Sequence, residues 1–88
     1  MGKVAMTYRL MPESTDFDFD GLDRIIASKL PSGSELRDRR IVPIAFGLRS
    51  FEVMIVAEDR EGTSDNVEKA LGGINGIQSV ESIETTLL

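Results

Sequence analysis

Hydrophobic periodicity changes along this chain in a fixed order, and that order leaves few folds open. Val4, Met6, Tyr8 and Leu10 alternate with Ala5, Thr7, Arg9 and Met11, a period of two that predicts a strand closed by Pro12. Leu22, Ile25, Ile26 and Leu30 follow helical spacing, and Pro31-Ser32-Gly33-Ser34 ends that helix. Asp18 is the expected N-cap, with Phe17 and Leu22 at the positions of a hydrophobic staple. Glu35 to Val42 is extended and highly charged and runs into Pro43, which cannot donate to a ladder; both features predict an edge strand. Leu48 to Glu58 is the most apolar strand, with Phe51, Val53 and Ile55 on one face and Met54 and Val56 on the other, as a central strand requires. A second helix is expected from near Ser64 or Asp65, with Asp65 and Glu68 at capping-box spacing and Val67, Ala70, Leu71 and Ile74 as its apolar stripe. Gly72-Gly73-Ile74-Asn75-Gly76 ends it. Ile77 to Leu88 is the last strand, although Ile77, Val80 and Ile83 stand three apart; a bulge or a late start accounts for that spacing.

The order is βαββαβ. It predicts one α+β domain over residues 1–88 with the ferredoxin-like architecture: a four-stranded antiparallel sheet, two helices on one face, the first and third strands central. The sequence reading further takes the two central strands to run the same way. That puts the hairpin around Ala45-Phe46-Gly47 and the end at Leu87-Leu88 at one end of the sheet, three strand spacings or about 14–15 Å apart, within reach of one partner.

Composition excludes much of the usual chemistry. The 88 residues contain no Cys and no His, so disulfides, thiolate or imidazole metal sites, Cys nucleophiles and Ser-His dyads are absent. Ser14, Thr15 and Tyr8 have no partner base, and no catalytic residue, metal site or cofactor is expected; the chain is read as a non-enzyme. Asp16, Asp18, Asp20 and Asp23 lack the Gly and terminal Glu of an EF-hand loop and are read as acids near a helix N-terminus. The glycine-rich segment follows a helix rather than opening one, so it offers no phosphate cradle. Residues 1–57 are neutral, and residues 58–88 carry the whole net charge of −5, with Arg60 and Lys69 against seven acids. No basic footprint for nucleic acid is present, no apolar run approaches a membrane span, and no secretory leader is apparent. A soluble, cytoplasmic protein is expected, with no direct nucleic-acid or membrane partner.

Two groups invite a binding role. Pro43-Ile44-Ala45-Phe46-Gly47 puts an aromatic residue at a hairpin tip that ordinarily faces water. Phe46 either folds back onto the core, the usual fate of a large apolar side chain, or stands out as an interface anchor; Gly47 permits a positive φ or the close approach of a partner's backbone. Arg37, Arg39, Arg40 and Arg49 are either the self-protection of an edge strand or a positive patch for an acidic partner or a phosphate.

Several segments carry a resemblance to a known family: Val4-Ala5 through Met11-Pro12-Glu13-Ser14, Pro43-Ile44-Ala45-Phe46-Gly47-Leu48, the acidic turn before the second helix, and Leu71-Gly72-Gly73-Ile74-Asn75-Gly76-Ile77. Across essentially its whole length the chain resembles the archaeal elongation factor 1-beta family, small relatives of the guanine nucleotide exchange domain of eukaryotic elongation factor 1-beta/delta. The resemblance implies a partner, the GTPase elongation factor 1-alpha in its GDP-bound and nucleotide-free states, and a function, promotion of GDP release and GTP reloading during translation elongation. It implies that Pro43, Ile44, Ala45, Phe46 and Gly47, together with Thr86, Leu87 and Leu88 at the other contact, bind that partner. Eukaryotic relatives reach the partner's magnesium site with a Lys near the C-terminus. This chain departs from them: its tail is Glu84-Thr85-Thr86-Leu87-Leu88, with no basic side chain after Lys69. Steric disturbance through Leu87 and Leu88, or distortion through the hairpin alone, are the mechanisms left. The rival class is an ACT-like regulatory domain binding a small molecule at a strand–helix junction, which requires a paired sheet edge. A sheet-based RNA reader is a third, and lacks the basic, aromatic-bearing sheet it needs.

Overall fold

The computed structural model describes residues 2–88. The chain forms β1 (Lys3–Pro12), α1 (Leu22–Lys29), β2 (Ser34–Pro43), β3 (Arg49–Glu58), α2 (Thr63–Gly72) and β4 (Ile77–Leu87), with a short 3-10 turn at Ala45–Gly47. The sheet order is β2-β3-β1-β4, so β1 and β3 are central and β2 and β4 are edges, as the charge and apolar patterns predict. No described helix is long and apolar enough to cross a membrane.

Alternation sets the core. Val4, Met6, Tyr8 and Leu10 of β1 stand opposite Ala57, Ile55, Val53 and Phe51 of β3, and all eight are buried on the helix-covered face. Leu22 and Ile26 of α1, Val67 and Leu71 of α2, and Ile74 and Ile77 beyond α2 close over them. Ile25, expected in the α1 stripe, is exposed instead. The stripe of an eight-residue helix meets the sheet on only two turns, and Leu22 and Ile26 occupy them.

The opposite face is open and closed electrostatically. Arg40, Glu52, Arg9 and Glu81 lie in one row across all four strands. Glu52 accepts from Arg40 at 2.9 Å and faces Arg9 at 3.7 Å, and Arg9 reaches Glu81 at 3.2 Å.

Strand direction departs from the sequence reading. β1 and β3 are antiparallel, not parallel. The segment 13–21 and α1 carry the chain back along the sheet, so β2 starts where β1 starts; the hairpin then reverses it into β3. The consequence is large. The 44–48 hairpin lies beyond the end of β1 marked by Leu10↔Phe51, whereas Leu87 pairs with Val4 at the other end. The two candidate contacts are therefore a strand length apart, about 33 Å, on a domain 43 Å long.

Both expected helix caps are also corrected. α1 follows Gly21 in the left-handed region (φ 78°), and no side chain caps it. Asp18 accepts from the N–H of Asp20 at 2.9 Å, a local turn that leaves it too early to cap the helix. Phe17 forms no staple with Leu22; it packs edge-on against Phe19, ring centroids 5.2 Å apart. α2 follows Gly62, again left-handed (φ 83°) and without a side-chain cap. Asp65 sits inside the first turn, and Glu68 accepts instead from the Tyr8 hydroxyl at 3.3 Å. The irregular spacing of β4 is settled as bulges: pairing with β1 shifts at Thr7/Tyr8 and at Met11/Pro12, leaving Ile83 and Gln78 as the extra residues.

Tyr8 lies in the core with its hydroxyl under α2. Burial first, then the charge and hydrogen bond of Glu68, push its phenol from 10.0 up to about 12. The sign follows directly. The unfolded chain loses this proton near 10 and the folded chain near 12, so the native advantage is complete below pH 10 and is lost as pH rises through that interval. Denaturant unfolding followed from pH 8 to pH 12 should show this loss in the wild type. Tyr8→Phe, which keeps the ring, should flatten the profile over the same interval; parallel profiles would remove Tyr8 as the source.

Candidate docking surfaces at the two ends of the sheet

The hairpin is a tight structure with an unusual tip. The N–H of Ile44 donates to Leu48 O at 2.7 Å, and the N–H of Leu48 donates to Ala45 O at 3.2 Å. Between them Phe46 (φ 61°, ψ 34°) and Gly47 (φ 75°) are both left-handed, the arrangement of a type I′ turn. Gly suits that conformation. Phe does not, because its Cβ crowds the following carbonyl at a cost of about 1–2 kcal/mol. Phe46 is the one non-glycine residue with positive φ among those described, and it is 94% exposed. Of the two readings of this side chain, folding back onto the core is thus excluded. Pro43, Ala45 and Gly47 are exposed around it, and Ile44 is exposed on the same tip. Neither solvent nor local propensity favours a strained aromatic in water, so the position points to use outside the folded chain.

The basic group is not a positive patch. Arg37 pairs with Glu35, Arg39 with Asp23 at 3.3 Å, and Arg40 with Glu52; Arg49 lies over the ring of Phe19, 4.9 Å from its centroid. Arg37, Arg39 and Arg40 are each answered by a carboxylate within the fold, which favours the self-protecting edge. Hydrogen bonding to Arg37 and its charge hold the exposed Glu35 carboxyl below its ordinary range, with a smaller contribution from Lys3. Among the described residues no group of three or more acidic side chains is placed to hold a metal ion.

The far end is built differently. Thr86 pairs with Ala5 and Leu87 with Val4, so the last residues are rungs of the ladder rather than a loose arm. Leu87 is 71% exposed and Leu88 68% exposed. The N–H of Leu88 donates to Lys3 O at 2.9 Å. The fold thereby sets a lysine from the start of the chain beside the tail. The tail itself carries no cation; this one is 85 positions away in sequence, and the pairing of β1 with β4 makes it adjacent. Lys3 is exposed and makes no ion pair among the described residues, although it faces Glu58 across β3. The structure brings Pro43 to Gly47 together at one end and Thr86 to Leu88 at the other. It does not join the two sets.

Comparison with known proteins gives this geometry its context. The fold is shared with a structure described as BlrP1 BLUF, at a TM-score of 0.62 and 18% identity, covering all of this chain and 56% of that one; the likeness extends to the fold alone. Elongation factor 1-beta of Methanothermobacter thermautotrophicus is 42% identical over 81 residues, 92% of this chain and 91% of the relative. Elongation factor 1-beta of Archaeoglobus fulgidus is 40% identical over 88 residues, the full length of both chains, and that of Methanosphaerula palustris is 39% identical over 99% of each. The family model for the EF-1 guanine nucleotide exchange domain matches residues 5–88, which takes in both ends of the sheet. The chain belongs to the EF-1 guanine nucleotide exchange domain family, and its role is that of a nucleotide exchange factor in translation elongation.

Proposed function

We propose that this domain acts in the cytoplasm on the GTPase elongation factor 1-alpha, engaging its GDP-bound form and holding its nucleotide-free form until GTP reloads. The observation that carries the reading is Phe46, exposed and strained at a hairpin tip inside a family-matched domain. No covalent step is needed. Tighter binding of the nucleotide-free state weakens GDP binding by the same factor, since the coupling is reciprocal. The chain's own task is then to be rigid and to present two contacts. Pro43, Ile44, Ala45, Phe46 and Gly47 form one; Thr86, Leu87 and Leu88 form the other, with Lys3 as the cation of that end. Because they lie about 33 Å apart, they meet two separate patches of the partner, and a strain applied at one is braced at the other.

An ACT-like role in small-molecule sensing finds less support. The groove beside α1 is open and crossed by the Asp23–Arg39 ion pair, and β2 shifts register at Leu36/Asp38, which spoils that edge for pairing.

Stopped-flow release of a fluorescent GDP analogue from the GTPase tests the proposal. Wild-type protein should accelerate release at least tenfold, and no acceleration sinks it. Lys3→Met should slow the catalysed rate severalfold at unchanged melting temperature, with the deficit shrinking as salt screens the wild-type charge. An unchanged rate would leave the far end to Leu87 and Leu88 alone.

A further inference from the structure

The hairpin stands beyond the support of the sheet. β1 pairs with β3 no further than Leu10↔Phe51, so from Arg49 to the tip β3 has only β2 beside it. A two-stranded hairpin by itself is marginally stable in water. Its closing hydrogen bonds, Ile44 to Leu48 and Leu48 to Ala45, fix the turn and not the direction in which it projects. A side chain at its root supplies that direction. Arg49, the first residue of β3, shares the strand face of Phe51 and lies over the ring of Phe19, 4.9 Å from its centroid. Phe19 is itself held from two sides. It stacks on the buried Phe51 with centroids 5.7 Å apart and meets Phe17 edge-on at 5.2 Å. Phe17 in turn lies against Gly76, immediately before β4. Three of the four phenylalanines thus gather beneath the hairpin, and the fourth is its tip.

Arg49 differs from the other arginines of this region. Arg37, Arg39 and Arg40 each meet a carboxylate, whereas Arg49 meets an aromatic face and no carboxylate among the described residues. A guanidinium stacked on a ring is an orienting contact, because both groups are planar and few arrangements bring their faces together. Here it joins the segment that leads into α1 to the strand that leaves the hairpin. Rigidity at the root matters at the tip. A contact already held in its bound conformation loses less entropy on association. Freedom of the hairpin lowers the fraction of molecules that present Phe46 correctly, and apparent affinity falls in the same proportion.

We propose that Arg49 is a positioning residue for nucleotide exchange: stacked on Phe19, it fixes the direction in which the hairpin presents Phe46 to the partner. This rests on the proposed engagement of the GTPase by Phe46. Arg49 need touch neither the nucleotide nor the partner. Its effect is to tie a projecting two-stranded ribbon to the aromatic cluster over the core.

Two measurements test this, one of them without the partner. In the free domain, Arg49→Met should lower the NMR order parameters of the Phe46 and Gly47 amides from the rigid range, about 0.85, toward about 0.6. Order in the sheet and the melting temperature should stay close to wild type. A merely stabilising contact would lower the melting temperature and leave the tip ordered, and an ordered tip overturns the proposal. In calorimetric titration of the nucleotide-free GTPase, Arg49→Met should weaken binding about fivefold, as a competent fraction reduced to about a fifth requires. Phe19→Leu should weaken it similarly, and the double variant should be no weaker than either alone, since the two side chains act as one unit. If Phe19→Leu lowers the melting temperature, Phe46→Ala replaces it: with the ring gone, Arg49→Met should cost no further affinity. Wild-type affinity for Arg49→Met overturns the positioning role and leaves the proposed partner standing. Additive losses mean that Arg49 touches the partner directly, and overturn it as well. Failure of the wild type to bind overturns the partner and the positioning role with it, whatever the tip does.

Discussion

Phe46→Gly should nearly abolish catalysed nucleotide release while leaving the domain at least as stable as wild type. The two halves have separate causes. Phe46 is almost wholly exposed, so its ring contributes little to the free fold. Its left-handed backbone costs about 1–2 kcal/mol that glycine does not incur. Glycine returns about 0.4–1 kcal/mol of that through the greater freedom of the unfolded chain. The balance is a gain of about 0.5 kcal/mol, a rise of a few degrees in melting temperature for a domain of this size. At an interface, an aromatic anchor is worth about 2 kcal/mol or more, so affinity for the nucleotide-free GTPase should fall about thirtyfold, and catalysed release with it. Scanning calorimetry and stopped-flow release on the same preparation are the measurements. Lost activity with a lower melting temperature would make Phe46 a structural residue. Full activity with a higher one would show that the strain serves nothing.

Gly76→Ala should destabilise the fold by about 2–3 kcal/mol, whereas Gly72→Ala, four residues earlier, should stabilise it. Both glycines belong to the segment that ends α2, and the sequence offers no means of ranking them. Gly76 has φ 92°, and a Cβ there would sit 2.5 Å from Cε1 of Phe17. Its carbonyl also accepts from the N–H of Glu13 at 2.9 Å, tying the end of β1 to the start of β4. Alanine therefore meets backbone strain and a ring that must move, two of the recognised sources of large effects. Gly72 has ordinary helical geometry and nothing within 4 Å of a Cβ, so alanine gains the usual helical advantage of about 0.5–1 kcal/mol. Urea unfolding of both variants gives the comparison. Equal effects would mean that the Phe17 ring yields freely.

How much of this was readable beforehand depends on the range of the interactions involved. The four strands, the two helices and the central place of β3 follow from alternation that each residue shares with neighbours two to four positions away. The inward faces, Val4, Met6, Tyr8 and Leu10 in β1 and Phe51, Val53 and Ile55 in β3, need nothing more, whereas their antiparallel register does. Helix caps are not legible in this way: Asp18 and Asp65 have capping chemistry away from the cap position, while left-handed Gly21 and Gly62 set the entry angles, and their φ values depend on where the chain must turn. The apolar hairpin was visible as a candidate, but whether Phe46 pointed inward or outward was a question of tertiary space. Of the four arginines read as a possible patch, Arg39 is answered from α1 and Arg40 from β3. Neither partner is local in sequence.

Sequence alone determined the order and kind of the elements, the edge character of β2, and the absence of Cys and His, which excludes thiolate and imidazole chemistry. These are properties of composition and of short-range periodicity. Tertiary structure alone decided which ends of the sheet the elements reach. It moved the hairpin and the tail apart, set Lys3 against Leu88, and laid Phe17 on Gly76. The physical reason is that pairing between strands distant in sequence is fixed by how many times the chain reverses and by the packing of one buried face. A periodic pattern specifies which face a residue takes and says nothing of which end.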